Sequence, residues 1–423
     1  MKHSEADSQG PRPWYRKLHW QILCSMLAGV ATGLAFGEPA ADTFGWWGDL
    51  FIKLLKMIII PLIFASIVSG VASVGGGRTL GRLFTKTLGY YVLSSLLAIL
   101  AGLVLVNLIR PGDGADIGLA QSQQIPELST PGSPKQLLLD LVPENVVQAA
   151  ARADMLAVIF FSILLGAAIA ALPEVHRGRL LPLFDSFFEA MMRLTSGVML
   201  FLPLGVFGLI TRLVGTSGLD TFRALGLYML TIALGLTFHL FVTLPLLLLL
   251  LGRINPRTHF KNMTEPLLMA FTTSSSAATL PVTMTAVEKR VGVSNKVTSF
   301  VLPMGATVNM DGTALYECAG VLFIAQVLGV GLGFGEQLLV VLAALLASIG
   351  AAAVPSAGLV IIFIVLEAVN LRGPEVNLIV GAMLAVDRPL DMFRTSVNVF
   401  SDSCGAAIIA RSEGEDEVDT QVR

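Results

Sequence analysis

Charge is scarce in this sequence. Only 14% of its residues are Asp, Glu, Lys or Arg, against 54% hydrophobic, whereas a soluble domain carries about 25% charge to cover its surface. That shortage excludes an ordinary soluble enzyme or a nucleic-acid-binding module. Cysteine is scarce too. Cys24, Cys318 and Cys404 lie in or beside apolar runs, without metal-ligand spacing or the even count of a disulfide framework, and read as small core residues. Histidine is nearly absent from the apolar runs: only His239 lies mid-span, with no serine nucleophile beside it, and it reads as a packed helix residue. The paired aspartates lack a GxGD context, so both common intramembrane-protease chemistries are set aside and no enzyme activity is expected. No cleavable leader is expected either. The stretch MKHSEADSQGPRPWYRKLHW is polar and basic with no small-residue cleavage site after the first apolar run, and is expected to be a retained cytoplasmic tail.

What is present is apolar sequence in long runs, among them ALGLYMLTIALGLTFHLFVTLPLLLLLLG. Runs of spanning length fall at about 18–36, 44–72, 84–109, 153–172, 186–213 and 223–251, which makes this a polytopic membrane protein. Arg12, Arg16 and Lys17 precede the first span, Arg78, Arg82 and Lys86 follow the second, Arg177 and Arg179 the fourth, and Arg253, Arg257 and Lys261 the sixth. Each of these segments is therefore inside, by the positive-inside rule. The stretch of about 110–152, with Pro, Gly, Gln and Ser, is expected as a long outer loop.

The next apolar stretch, 262–288, breaks the alternation because Lys289, Arg290 and Lys296 beyond it also belong inside. It is expected to enter and leave on one face. Its middle, FTTSSSAATLP, has the Ser, Thr and Pro of a re-entrant tip, where backbone groups need protein, ions or water as partners. A second such stretch, 335–370, is interrupted by ASIGAAAVPSAG. Ser, Ala, Ala and Pro recur at the same offsets in SSSAATLP and SIGAAAVP, and each is followed by a span with polar residues, as in an inverted-repeat transporter.

Two spans carry the polar groups. Residues 307–317 read TVNMDGTALYE, and the reading from sequence is that Gly312 lets this helix open so that Asn309 and Asp311 gain freed carbonyls as co-ligands. On the last span, Asp387, Asp391, Arg394, Asn398 and Asp402 fall within an arc of roughly 80° at about 100° per residue. A charge at mid-membrane costs about 2.5–3.5 kcal/mol even on lenient scales, so this stripe must face protein, water or ions. A structural network, Asp391 with Arg394 and Arg394 with Asn398, is the alternative, and it leaves Asp311 and Asp402 without partners. Those two carboxylates suit hard monovalent cations. A channel also lines its path with polar groups, and gradient-driven accumulation separates the two.

NMDGT at 309–313, TSSSAATLP, SIGAAAVPSAG and the DxxxDxxRTxxNxxxD pattern of the last span together resemble the dicarboxylate/amino acid:cation symporter family, which includes the excitatory amino acid transporters. The resemblance covers nearly the whole chain. It implies an all-α membrane fold of eight transmembrane helices and two re-entrant hairpins, built as inverted repeats that work as an elevator. Residues 18–83 and 136–222 are then the scaffold and trimerisation domain, 84–112 and 223–410 the transport domain, and 1–17 and 411–423 cytoplasmic tails. The activity implied is Na+-coupled uptake of L-aspartate or L-glutamate by a homotrimer of the inner membrane with both termini cytoplasmic, with no organic cofactor and no nucleic-acid partner. The runner-up is a proton-coupled dicarboxylate or neutral amino-acid carrier of the same fold.

The resemblance also implies site residues. Arg394 would hold the side-chain carboxylate of the substrate, to which a guanidinium fork is matched, and Asp391 its amino group. Ser275, Ser276, Met310, Thr313, Val354, Gly358, Thr395 and Asn398 would complete the pocket. Sodium would be held by Gly305, Asn309, Asn398 and Asp402; by Thr307 with Ser348, Ile349 and Ala351; and by Tyr91, Ser94, Ser95, Asn309 and Asp311. Ser94 stands where many members have Thr. The extra Arg that members place before the first tip's serines or after the substrate-amine aspartate is replaced here by Ser274 and Met392, and Arg388 is expected to substitute for it. Glu317 would carry a co-transported proton, the alternative being a purely structural hydrogen-bonded carboxyl.

Overall fold

The computed structural model describes residues 18–72, 78–115, 142–152, 154–217, 221–349 and 357–419, and among these every regular element is a helix. In chain order they are α1 (Leu18–Phe36), α2 (Glu38–Ala72), α3 (Arg78–Ile109), α4 (Val146–Ala151), α5 (Met155–Ala170), α6 (Glu174–Met199), α7 (Leu202–Ser217) and α8 (Thr221–Phe238). After α8 the helix continues through a π turn (His239–Thr243), α9 (Leu244–Leu247) and a second π turn (Leu248–Gly252). Then come α10 (Pro256–Thr273), α11 (Ser276–Ala286) with a π turn (Val287–Val291), α12 (Asn295–Val308), α13 (Asp311–Val327), α14 (Phe334–Ile349), α15 (Ala357–Ala368) and α16 (Pro374–Ser412).

Among the described residues, three single helices are long and apolar enough to cross a membrane: Glu38–Ala72, Gly81–Ile109 and Arg223–Gly252. The expected fifth span, 186–213, falls on two helices, α6 and α7, which are long and apolar enough to cross only when taken together and are bent by 49°. Pro203 explains the break. It has no N–H to donate to the carbonyl of Met199, so the chain tightens through bonds from Leu200 to Gly197 and from Phe201 to Val198 before α7 begins. α12 and α13 are each too short to qualify, because the span they form is broken at Asn309–Met310. α16 has the length, but its carboxylates and guanidinium groups interrupt the apolar window.

The helices pack in two sets. α1, α2, α5, α6 and α7 lie against one another, and α3, α8 and α10–α16 do likewise. Within the first set, Arg212 of α7 grips Asp49 of α2 with two hydrogen bonds of 2.8 and 2.7 Å. Between the sets, Leu209 of α7 sits so close to Gly381 of α16 that a Cβ there would stand 2.7 Å from a Leu209 methyl. Lys56 of α2 reaches Asn377 of α16 at 2.9 Å and lies over the Phe363 ring of α15 at 4.5 Å.

The first interrupted stretch is a helix pair, α10 and α11, joined through Ser274 and Ser275. Ser274 takes φ 52°, the left-handed region that ends α10. Ser275 is extended and caps α11, its hydroxyl accepting from the Ala278 amide at 3.2 Å. α14 and α15 form the second pair, packed on each other and on α13. Most of their SIGAAAVPSAG junction lies outside the described residues, and Ala351 and Val354 with it.

Candidate functional site

The site begins at the break between α12 and α13. Asn309 donates its amide to Gly305 at 2.9 Å and then turns extended, φ −103° and ψ 90°, and Met310 follows at φ −120° before Asp311 opens α13. The expectation that Gly312 opens the helix is corrected: the break precedes it, and Gly312 is helical. Its lack of a side chain serves a close approach instead. A Cβ there would stand 3.0 Å from the Arg394 Cα and carbonyl oxygen of α16, and the Gly312 amide donates to Asn398 Oδ1 at 2.8 Å.

That approach lays the polar face of α16 against the break. Arg394, 1% exposed, donates from Nη2 to Asp387 at 2.9 Å and to Asp391 at 3.1 Å, and its guanidinium lies 3.8 Å above the Tyr316 ring. Its Nε and Nη1 have no hydrogen-bond partner among the described residues. The Arg394–Asn398 pairing considered from sequence does not form, since Asn398 turns to Gly312 and, at 3.4 Å, to Thr313. Arg388 reaches the other oxygen of Asp391 at 3.4 Å. Thr395 donates to the Asp391 carbonyl at 2.8 Å. Gly358 of α15 closes over the guanidinium, a Cβ there standing 2.8 Å from Nη1. Ser276, Met310 and Thr313 are buried.

About two turns beyond Arg394 along α16 the charge reverses. Asp402, 3% exposed, accepts from Asn309 Nδ2 at 2.9 Å and has no cationic partner among the described residues. Gly305 makes room for it: a Cβ would stand 2.5 Å from Asp402 Oδ1 and 2.6 Å from the Tyr91 hydroxyl. The Tyr91 hydroxyl itself donates to the Val301 carbonyl at 2.8 Å. Asp311 is different, and the view of it as partnerless is corrected. It receives Ser95 at 2.6 Å, Ser94 at 3.2 Å and Ser401 at 2.6 Å, and His239 Nε2 lies at 3.0 Å. Tyr91, Ser94, Ser95, Asn309 and Asp311 thus converge, and so do Gly305, Asn309 and Asp402.

Thr307 and Ser348 turn their hydroxyls to the carbonyls of their own helices, Met304 at 3.1 Å and Leu345 at 2.9 Å, with no hydrogen bond between them. Ile349 ends α14 beside Ser348. Glu317 is fully buried in α13, and neither of its oxygens has a partner among the described residues. The described residues hold no cluster of three His, Cys, Asp or Glu side chains fit for a metal centre. The donors gathered here are single carboxylates, an amide, hydroxyls and carbonyls, the set for a hard cation.

The sequence profile of the Sodium:dicarboxylate symporter family matches residues 18–412. The chain belongs to that family. It is 34% identical to the excitatory amino acid transporter 3 of Homo sapiens, over 94% of this chain and 87% of that protein. It is 34% identical to the proton/sodium-glutamate symport protein of Geobacillus stearothermophilus, over 94% and 95%. It is 32% identical to the proton/glutamate-aspartate symporter of Escherichia coli strain K12, over 94% and 93%. Family and relatives are transporters, so this symporter-family chain is a carrier and not an enzyme.

Three residues of this symporter's site had no assigned role from sequence. Asp387 was on the stripe, yet it is the nearer partner of Arg394. Ser401 bridges Asp311 and Asn309, at 2.6 and 3.0 Å. At about 100° per residue it lies only about 20° outside the stripe, which is the signal that marks it. His239 is indeed packed, but it packs onto Asp311, and the π turn that presents it is a feature common at functional sites.

Proposed function

We propose that this protein is a secondary active symporter of the inner membrane that takes up L-aspartate or L-glutamate with Na+, both termini cytoplasmic. The observation that carries the reading is Arg394. A buried guanidinium with two acidic neighbours on one nitrogen and unused N–H groups on the other two is arranged to receive a further carboxylate, because an unmet buried donor costs more than a met one gains. Asp391, held between Arg388 and Arg394, offers its oxygens to an ammonium. Asp402 and Asp311 supply negative charge for Na+ through the oxygen set that also contains Asn309, Asn398, Tyr91 and the serines. The names of the relatives support the same substrates and ions.

The finer reading follows the family pattern. Eight spans and two re-entrant pairs, α10–α11 and α14–α15, form inverted repeats. The α1, α2, α5–α7 set is the scaffold of a homotrimer in the lipid, and the other set moves as an elevator across it. Glu317 carries a proton, since an ionised carboxylate buried without a partner is costly and a proton removes that cost. Sodium is bound cargo, and this chain's residues orient its ligands and the substrate from opposite sides of the α12–α13 break. Thr307 with Ser348 and Ile349 supplies a further cation site, as the family pattern implies; its fourth member, Ala351, lies outside the described residues.

The test is uptake of radiolabelled aspartate and glutamate into proteoliposomes with imposed Na+, H+ and K+ gradients. Accumulation driven by inward Na+ is expected, inhibited by unlabelled aspartate and not by alanine or succinate. Uptake driven by H+ alone, or competition by succinate equal to that by aspartate, would contradict it.

A further inference from the structure

The last helix does not end in a free tail. Gly414 takes φ 94°, and the chain turns back beneath α16, with the Glu415 amide on the Ala410 carbonyl at 3.1 Å and Arg411 on the carbonyls of Asp416 and Val418 at 2.8 and 3.4 Å. From there residues 413–419 fasten one element after another. Glu413 binds Arg82 at 2.5 Å and Lys86 at 2.6 Å on α3. Glu415 accepts from the amide and hydroxyl of Ser294, the cap of α12, at 2.8 and 2.5 Å. Asp419 joins both arms of the first helix pair: its carboxylate takes Asn262 at 2.8 Å and His259 at 2.7 Å on α10, and its amide donates to Val291 beyond α11 at 2.7 Å. Val418 is 1% exposed, so the segment is packed as well as hydrogen-bonded.

His259 links this segment to the cation end of the polar face. It is fully buried, and its other nitrogen lies 3.0 Å from the hydroxyl of Ser403, the residue after Asp402. Beside it Phe260 stacks on Phe400 at 4.0 Å, and further up Ser396 donates to the Leu267 carbonyl at 3.2 Å. The α10–α16 seam is thus fixed from Ser396 to Ser403, and Asp419 closes its end. Every hydrogen bond described for the segment goes to α3, α10, α12, α16 or the turn after α11.

We infer that Glu413–Asp419 is a strap, with Asp419 and His259 as positioning residues, that holds this helix set together at one end and thereby fixes Asp402 for Na+. This rests on the proposed function, in which Asp402 is a Na+ ligand. A positioning role predicts a change in cation affinity, whereas a merely structural fastener lowers stability or yield and leaves affinity alone.

The experiment is Na+ titration of aspartate uptake in proteoliposomes by the wild type, Asp419→Asn and Asp419→Ala, normalised to reconstituted protein. Half-saturating Na+ is expected to rise about three- to tenfold in Asp419→Ala, below the 10–100-fold typical of a group bonded directly to a metal ligand. The rise should be smaller in Asp419→Asn, which keeps the side chain's shape, with maximal uptake recovered at high Na+ in both. If Asp419→Ala does not reconstitute, the Asn variant alone decides, by a raised or an unchanged half-saturation. Na+-driven uptake in the wild type with unchanged half-saturation in the variants overturns the strap alone. Na+-independent uptake in the wild type overturns the functional reading and the strap with it.

Discussion

The two halves of the polar face of α16 ask for opposite ligands. Around Arg394 a cation is buried with acids on one side and unused donors on the other; around Asp402 a carboxylate is buried with one amide and no cation. About two turns of one helix separate a guanidinium with unmet donors from a carboxylate short of positive charge. Asp311 shows what a satisfied carboxylate in the same interior looks like, with three serines and a histidine on it. Its hydroxyl partners can also rotate and offer lone pairs to a cation. On the proposed function, coupling follows from the arrangement: Asn398, hydrogen-bonded to the start of α13, stands between the proposed anion and cation positions, so each ligand would order the frame used by the other.

Breaking the anion half should have the largest effect. Arg394→Thr is expected to abolish uptake of acidic amino acids, because loss of charge-assisted bonds of about 1.5–3 kcal/mol lowers affinity by about two orders of magnitude. Equilibrium binding of labelled aspartate checks it, and alanine binding by the variant would sharpen the assignment. Unchanged aspartate affinity would remove Arg394 from the site.

Glu317→Gln should come next. The amide mimics the protonated carboxyl, so exchange of internal for external substrate is expected to persist while net uptake and its pH dependence fall. Paired exchange and net-flux assays on the same vesicles give the answer. A structural role predicts that both modes fall together.

The smallest effect concerns the strap. The hydrogen bond from Lys86 holds the Glu413 carboxyl below its ordinary value; burial opposes it by less, and the hydrogen bond from Arg82 adds to the lowering. A depressed native value means that the contribution of Glu413 to stability is present above about pH 4.3 and is lost as pH falls through the native value. Thermal melting of the detergent-solubilised protein between about pH 6 and pH 3 should therefore decline less steeply in Glu413→Gln than in the wild type. Parallel curves would contradict it.

Much of the fold was legible because hydropathy is a local property. The bounds of α1 and the ends of α2, α3 and the Thr221–Gly252 helix follow from apolar runs, and the Ser274–Ser275 junction from a serine cluster between basic flanks. The bend at Leu200–Phe201 was carried by Pro203, inside a run whose hydrophobicity conceals it. Of the site, residues sharing one helix face were found by angle alone. His239 with Asp311 and His259 with Asp419 were not, since 72 and 160 residues separate the partners and no local pattern announces either pair. Asp387 was passed over because the i,i+3 neighbour Asp391 satisfied the local rule, whereas in the structure Arg394 reaches a full two turns back.

The central claim is that the two halves of this polar face are linked. Its most direct measurement is equilibrium binding of labelled aspartate to the purified wild type and Asp402→Asn across a series of Na+ concentrations. The account predicts that wild-type Kd falls steeply as Na+ rises, and that the Asp402→Asn curve is displaced to higher Na+ with the same affinity at saturation. Aspartate binding independent of Na+ in the wild type, or superimposable curves for the two proteins, would contradict it.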